Sequence, residues 1–292
     1  VIIRFWLPFM APCLGTIARL IKRGRRTRGV GQSPKIIAIC DNVIPHEKRP
    51  GDRMFTNYFV NSCDAFVVMS KSVEDDLRQF DKQKPVTFIP HPVYDIFGKA
   101  LSKADAQSKL GLNPADKHIL FFGFIRKYKG LDLLIKALGK LKSEIGNLKL
   151  IIAGEFYDAH EEYLKLIKEN GLENKVIIRS DFIPTEEVKY YFCAADIVVQ
   201  PYHTATQSGV TQIAYQFARP MLVTNVGGLA EIVTNNRVGY VTETNPEAIT
   251  SALSDFYTNN REQEFSANAA IDRSKFSWEN MVNGIKQLYA KL

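Results

Sequence analysis

The sequence predicts an α/β protein of two parallel-sheet domains facing a cleft, and three observations predict it. Short apolar runs such as IIAIC (36–40), AFVVM (65–69), HILFF (118–122) and DIVVQ (196–200) alternate with helical patterns. These runs are apolar on both faces, which is the signature of strands buried in a parallel sheet. Pro90 and Pro92 interrupt the alternation, and a polar segment around 101–117 follows. The expected division is therefore 1–92, with the closing amphipathic helix 276–292 packing back onto it, and 93–275.

In chain order the expected strands are 36–40, 65–69, 86–89, 118–122, 148–153, 175–179, 196–200, 221–225 and 238–242. Between them, Leu131, Leu134, Ile135 and Leu138 form one helical stripe, and Val210, Ile213, Ala214 and Phe217 another. Asn245 and Pro246 begin a further helix as N-cap and first helical residue. The chain opens VIIRFWLPFMAPCLG, already β-branched. It is expected to start inside the first domain, whose initial strands are absent.

With 292 residues, 46% hydrophobic and 24% charged, the chain has enough apolar material for two cores. Residues 1–30 hold seven Lys and Arg and no acid, which accounts for the whole net charge of +7. A nucleic-acid face spread over the protein is excluded on that distribution. The four cysteines are far apart and form no C-x-x-C, so buried free thiols are expected rather than disulfides or zinc ligands. Phe5 to Ala18 is an uncharged run of 14 residues, short of the ~20 that span a bilayer. Its cations mostly follow the run, whereas a signal peptide carries them before it. GTIARLIKRGRRTR (15–28) combines Ile17, Leu20 and Ile21 with clustered cations. That pattern fits peripheral contact with an anionic membrane, at ~1 kcal/mol per cation, and equally a solvated helix end.

Two segments carry the chemistry. From Asp196 to Glu231 the chain reads as a strand, a polar loop, a helix opening at Ser208-Gly209, a strand after Pro220 and a Gly227-Gly228 turn. Such consecutive βαβ units aim backbone N–H groups and a helix N-terminus at one point beyond the strand ends, where a phosphate can sit. The second segment, HILFFGFIRKYKGLDLLIKAL, runs from a strand through Arg126, Lys127 and Lys129 into a helix, a setting suited to a diphosphate or to a solvated basic turn. No G-x-G-x-x-G follows any strand, which argues against a NAD-dependent dehydrogenase.

The order strand-G-x-x-R-x-x-K-G-helix, then LIIAGE, DFIPTEEVKYYFCAADIVVQPY and SGV...ARPMLVTNVGGLAEIV, resembles the donor domain of a GT-B glycosyltransferase of retaining family 4, the glycosyl transferases group 1. The resemblance covers roughly 36–290 and implies two Rossmann-like domains. It also implies that Lys129, with Arg126 standing in for an arginine the family places two residues earlier, holds a nucleotide diphosphate. Phe182 and Ile183 fall in the turn that borders the nucleobase. The family's second conserved glutamate of a pair falls near Ile213, and no acid lies between Tyr202 and Ala230. Gln207 and Gln212 are the polar candidates there, for sugar or ribose hydroxyls or as exposed helix-end polarity. Ser208, Gly209 and Val210 open the helix, with Ser208 as N-cap. Gly228 and Glu231 match the Gly-Gly-x-x-Glu turn, with a first-turn carboxylate facing the helix dipole as the plainer account of Glu231.

In the first domain the family's sugar-facing histidine would fall at Asp41, and His46 either takes that role or is a surface histidine. Ser70 resembles a hinge-side serine, His91 replaces a linker asparagine, and His118 reads as structural. The catalytic set implied is His46, Arg126 and Lys129, acting electrostatically. No cofactor and no metal are implied, in keeping with the lack of an Asp-x-Asp motif. The expected activity is retaining transfer of a sugar from a UDP- or GDP-type donor to an acceptor such as a lipid-linked glycan or polysaccharide precursor. It would take place in the cytoplasm, with peripheral membrane contact through 15–28. A GT-B sugar phosphorylase or synthase and a non-catalytic nucleotide-sugar-binding protein are the alternatives.

Overall fold

The computed structural model describes residues 1–26, 34–45, 49–141, 145–157 and 160–292. Two compact units divide them: Val1–Pro92 with Phe276–Leu292, and Val93–Lys275.

The first unit holds a four-stranded parallel sheet in the order β1-β2-β3-β4, formed by Ile2–Phe5, Ile37–Cys40, Ala65–Val68 and Val86–Phe88. Helices α1 (Ala11–Arg26), α2 (Asp52–Val60) and α3 (Lys71–Arg78) connect the strands. Every residue of β3 is buried, because both of its faces are covered. One core gathers Phe5, Phe59, Phe66, Val68, Val73 and Leu77, with Phe5 and Phe59 stacked at 4.4 Å. A second gathers Ile37, Val67 and Met69 against Met281 and Leu288 of the closing helix, Trp278–Ala290. Ser70 caps α3, its hydroxyl accepting from the Val73 N–H at 3.3 Å.

The second unit begins with a helix, α4 (Lys103–Leu110), inside the segment read from sequence as polar, for which no helix was expected. Ser102 caps its start and Gly111, in the left-handed conformation, ends it. With eight residues and only Ala106 and Gln107 buried, α4 carries no apolar stripe for periodicity to detect. The six strands that follow are β5 (Lys117–Phe122), β6 (Leu148–Ala153), β7 (Val176–Arg179), β8 (Ile197–Gln200), β9 (Met221–Thr224) and β10 (Gly239–Thr242). They form one parallel sheet ordered β10-β9-β8-β5-β6-β7. Its helices are α5 (Leu131–Lys140), α6 (His160–Glu169), α7 (Val188–Ala194), α8 (Gly209–Gln216), α9 (Leu229–Ile232), α10 (Pro246–Thr258) and α11 (Glu262–Asp272). The core runs through Ile119, Phe121, Leu134, Ile152, Ile197, Val199 and Phe256. Asn245 caps α10 by accepting from the Ala248 N–H at 2.8 Å.

Strand order reverses between β5 and β8, which pair at Ile119 with Ile197 and Leu120 with Val198. Helices diverge at such a switch point and leave a crevice beyond the carboxyl ends of the two strands. Of the cysteines, Cys40, Cys63 and Cys193 are buried free thiols, burial pushing Cys63 up to about 12. Cys13 is exposed, contrary to expectation, because α1 turns it away from α2. Among the described residues no helix is long and apolar enough to cross a membrane.

Candidate functional site

A cavity of about 480 Å³ opens at that switch point. Residues just past β5 (Gly123, Phe124, Lys129) and β8 (Tyr202, Gln207, Ser208) line it, with Gly209 and Val210 at the start of α8 and Phe182 and Ile183 on the rim.

The β5–α5 loop is built tightly. Ile125 is buried and its N–H donates to the Glu155 carbonyl at 2.8 Å, pinning the loop to the segment after β6. A 3-10 turn over Lys127–Lys129 ends at Gly130, whose φ is +67°. A Cβ on Gly130 would lie 1.9 Å from the Pro201 carbonyl oxygen, so only glycine lets α5 start this close to β8. The turn drives Lys129 inward, where it is only 8% exposed. A Cβ placed on Gly123 would meet Lys129 Nζ at 3.2 Å and Val210 Cγ2 at 3.7 Å. The ammonium and the first turn of α8 therefore border the same small space.

Lys129 has no anionic partner among the described residues. Its Nζ sits 5.8 Å from the Tyr202 ring centroid. Burial, and then the charge of Arg126, lower its pKa to about 8. At the start of α8 the Thr211 N–H donates to the Ser208 carbonyl at 3.2 Å, which leaves the Gly209 and Val210 N–H groups ahead of any intrahelical acceptor. Both features favour an anion supplied from outside the fold.

Arg126 is exposed and does not line the cavity; its guanidinium lies 4.8 Å from the Tyr157 ring centroid. The sequence places it in the same loop as Lys129, but the 3-10 turn sends the two side chains apart. Ser208 stands at the N-cap position without making the expected side-chain cap. Its hydroxyl instead pairs with Tyr202 OH at 3.3 Å, and burial pushes the Tyr202 phenol up. Gln207 lines the cavity, and its Nε2 is buried without a hydrogen-bond partner.

Gln212 is not exposed helix-end polarity: it is buried, away from the cavity lining, with Oε1 unpartnered. Its neighbour Thr211 is tied to the sheet, its hydroxyl donating to Gln200 Oε1 at 3.0 Å. The Gly227-Gly228 turn does not offer the Gly228 N–H to the cavity, because that group donates to the Thr206 carbonyl at 3.0 Å. Gly227 has φ +46°, and its Cβ would lie 1.7 Å from the Ala205 carbonyl oxygen. The turn thus braces the 205–206 segment. Glu231 is exposed on α9 and also lies outside the lining.

In the first unit His46 lies outside the described residues. Asp41 pairs with Arg4 at 2.7 Å, and His91, its pKa lowered chiefly by burial, places Nδ1 2.7 Å from the Pro92 carbonyl oxygen. His118 is fully buried, with Nδ1 3.3 Å from Gln107 Nε2.

Several lining residues were missed in the sequence: Tyr94, Phe97, Phe122, Phe124, Tyr128 and Glu155. Tyr94 OH would be 3.3 Å from a Cβ on Gly209, so the segment after Pro92 forms one wall. Phe122 and Phe124 were legible in principle as the residues flanking Gly123 at the end of β5. Among the described residues no group of three or more His, Cys, Asp or Glu is arranged to hold a metal ion.

A family model described as glycosyl transferases group 1 matches residues 102–272, more than half the chain. The D-inositol 3-phosphate glycosyltransferase of Paenarthrobacter aurescens is 30% identical over 179 residues, 60% of this chain and 44% of that protein. An uncharacterized glycosyltransferase of Methanocaldococcus jannaschii is 28% identical over 237 residues, 78% of this chain and 60% of that one. The chain thus spans about half the length of these relatives. Among solved structures, a sucrose-phosphate synthase from Thermosynechococcus elongatus aligns with a TM-score of 0.78 at 19% identity, over 99% of this chain and 73% of that one. HepE from Anabaena, solved in complex with UDP, aligns with a TM-score of 0.77 at 17% identity, over 97% and 77%. The likeness shows the fold: two Rossmann-like parallel-sheet domains of the GT-B class.

Proposed function

The chain belongs to the glycosyl transferases group 1 family, and from that membership we propose that it moves a sugar from a nucleoside diphosphate sugar to an acceptor hydroxyl with retention of configuration. The observation that carries the reading is Lys129, a buried ammonium without a counter-ion among the described residues, beside the start of α8 at the sheet's switch point. A diphosphate there offsets the cost of burying the charge and meets the unpaired helix N–H groups. The bond from the anomeric carbon to the diphosphate oxygen breaks with its electron pair leaving on the diphosphate. The acceptor oxygen forms the new bond on that face, and its proton passes to the departing diphosphate oxygen. Lys129 and the helix end stabilise the charge that develops, without an enzyme-bound intermediate or a metal.

In this reading the second unit, Val93–Lys275, is the donor side, and the first unit is the acceptor side. Phe182 and Ile183 border the base, and Gln207 faces the sugar. Arg126, exposed over Tyr157, contributes through its field rather than by contact. A lipid-linked glycan or polysaccharide precursor as acceptor would bring the reaction to the cytoplasmic face of a membrane. Calorimetry against UDP, GDP and ADP and their sugars tests the donor site. Micromolar binding of one nucleotide, lost in Lys129→Met, is expected, and binding of none would overturn the assignment.

A second reading, a nucleotide-sugar-binding protein without turnover, is favoured by one observation. Ile213, near the family's second glutamate, lines the cavity with no carboxylate close by in sequence. Nucleotide binding with neither sugar transfer nor donor hydrolysis would support it.

A further inference from the structure

Lys129 and the first turn of α8 come from different loops, and the ladder joining their two strands stops short of both. Strands β5 and β8 pair at Ile119 with Ile197 and at Leu120 with Val198. Past those positions Phe121 and Phe122 pair with β6, and Val199 and Gln200 with β9. Contacts between the β5–α5 and β8–α8 loops must therefore set the gap in which the ammonium faces α8.

One residue makes two of these contacts. His203, early in the β8–α8 loop, donates its backbone N–H to the Tyr128 carbonyl at 2.7 Å. Its ring Nε2 lies 2.9 Å from Asp132 Oδ1, in the first turn of α5. An ionised carboxylate can only accept, so Nε2 carries the proton. Tyr128 and Asp132 flank Lys129 and Gly130 in the chain, so His203 grips the lysine's turn from both sides. The other Asp132 oxygen is 3.5 Å from Lys136 Nζ, which steadies the carboxylate. Beside His203, the Tyr202 ring meets Tyr128 edge-on at 6.0 Å, and Tyr202 OH reaches the Ser208 hydroxyl at the start of α8 at 3.3 Å. The Lys129 turn is thus joined to α8 through residues 202 and 203.

We propose that His203 is a positioning residue: through Asp132 it fixes the β8–α8 loop against the turn that carries Lys129, and so sets the spacing at which the ammonium and the start of α8 meet one diphosphate. This role rests on the donor-site reading above and extends it to a side chain that does not line the cavity. A solvated ion pair is the plainer account of the same contact, and the two differ in what they predict. With side chains 41% and 30% exposed, the pair adds little to global stability. Its effect belongs instead to the geometry of the site, where a displacement of about 1 Å can cost up to about 100-fold.

Three variants test it. His203→Leu keeps bulk and loses the bond, Asp132→Ala removes the partner, and His203→Gln places an amide Nε2 at the same number of bonds from the backbone. Hydrogen–deuterium exchange of the ligand-free protein reads the clamp, and calorimetry with inorganic pyrophosphate reads its consequence. In His203→Leu, exchange should rise at least threefold in peptides covering 124–131 and 202–208, and pyrophosphate affinity should fall about tenfold with the urea midpoint held. H203L/D132A should lose no more than either single variant. His203→Gln should return both readouts to within about twofold of wild type, since its amide can donate to Asp132. Unchanged exchange in those peptides, additive losses in the double variant, losses that track the urea midpoint, or failure of His203→Gln to restore either readout would overturn the proposal. Exchange needs no ligand and pyrophosphate carries neither base nor sugar. Failure of UDP, GDP and ADP to bind, with the other results as expected, would therefore support the role of His203 while overturning the nucleotide-sugar reading.

Discussion

Strands β5 and β8 carry a lysine-centred site at each end, and the two ends are built on opposite terms. At the amino end, Lys103 Nζ pairs with both Asp196 and Glu262. Asp196 also accepts from the His118 N–H at 2.9 Å and from Tyr257 OH at 3.3 Å. The group left unpartnered there is His118 Nε2, and burial lowers the His118 pKa and favours the neutral ring. At the carboxyl end Lys129 is more deeply buried and has no counter-ion among the described residues. A satisfied network holds elements together, whereas an unsatisfied charge opening on a cavity marks where a ligand completes the structure.

Breaking each end should therefore have opposite consequences. Asp196→Ala removes a nearly fully buried carboxylate that ties α4 to β5 and β8. It should cost about 3 kcal/mol of stability, read as a lower urea midpoint, with nucleotide affinity unchanged in the folded fraction. Lys129→Met should leave the urea midpoint at pH 7 equal or higher, since it removes a charge that folding must desolvate. Nucleotide affinity should fall about 100-fold, or about 2.7 kcal/mol. A variant that unfolds without losing affinity would place Lys129 with the structural end.

The depressed Lys129 pKa sharpens the contrast through pH. With a value lowered from 10.5 to about 8, the folded protein resists protonation at this site more than the unfolded chain does. Below pH 8 the buried ammonium opposes folding by about 3 kcal/mol. That cost is relieved as pH rises from 8 toward 10.5, where the unfolded state holds the proton and the folded state does not. A diphosphate needs the charged form, so its affinity should be flat below pH 8 and fall by up to about tenfold per pH unit above it. Calorimetry across pH 6.5 to 9.5, in wild type and Lys129→Met, checks this, because the variant should lose the slope.

The contrast also shows what was legible in the sequence. Most strands announced themselves as short apolar runs, whereas β1, Ile2–Phe5, alternates between exposed and buried residues and was not among those expected; Lys129 stood out because Gly130 follows it at the mouth of a helix. The separation of Arg126 from Lys129 depends on a 3-10 turn whose direction is set by the close approach of Gly130 to Pro201, a contact between segments 71 residues apart. The Tyr94 wall is equally non-local. Gln212 was misjudged because α8 is nearly all buried, so its polar residue carries no periodic mark of the face it occupies. Helix α4 escaped because capping by Ser102 and Gly111, rather than an apolar stripe, defines it.

The smallest expected effect separates the two glutamines. Gln207 lines the cavity with Nε2 buried and unpartnered, so an incoming sugar or phosphate oxygen can accept from it. Gln207→Ala should weaken binding of the nucleotide sugar about five- to tenfold, the worth of one hydrogen bond of about 1 kcal/mol, while affinity for the bare nucleotide changes less than twofold. Gln212, buried away from the lining, lacks a partner for Oε1, so Gln212→Met exchanges an unsatisfied amide for an apolar side chain of similar volume. That change should leave both affinities unaltered and hold or raise the urea midpoint. Equal losses of sugar-nucleotide affinity in both variants would mean that α8 acts as a unit, and the contrast between a cavity-lining glutamine and one buried away from the lining would fail.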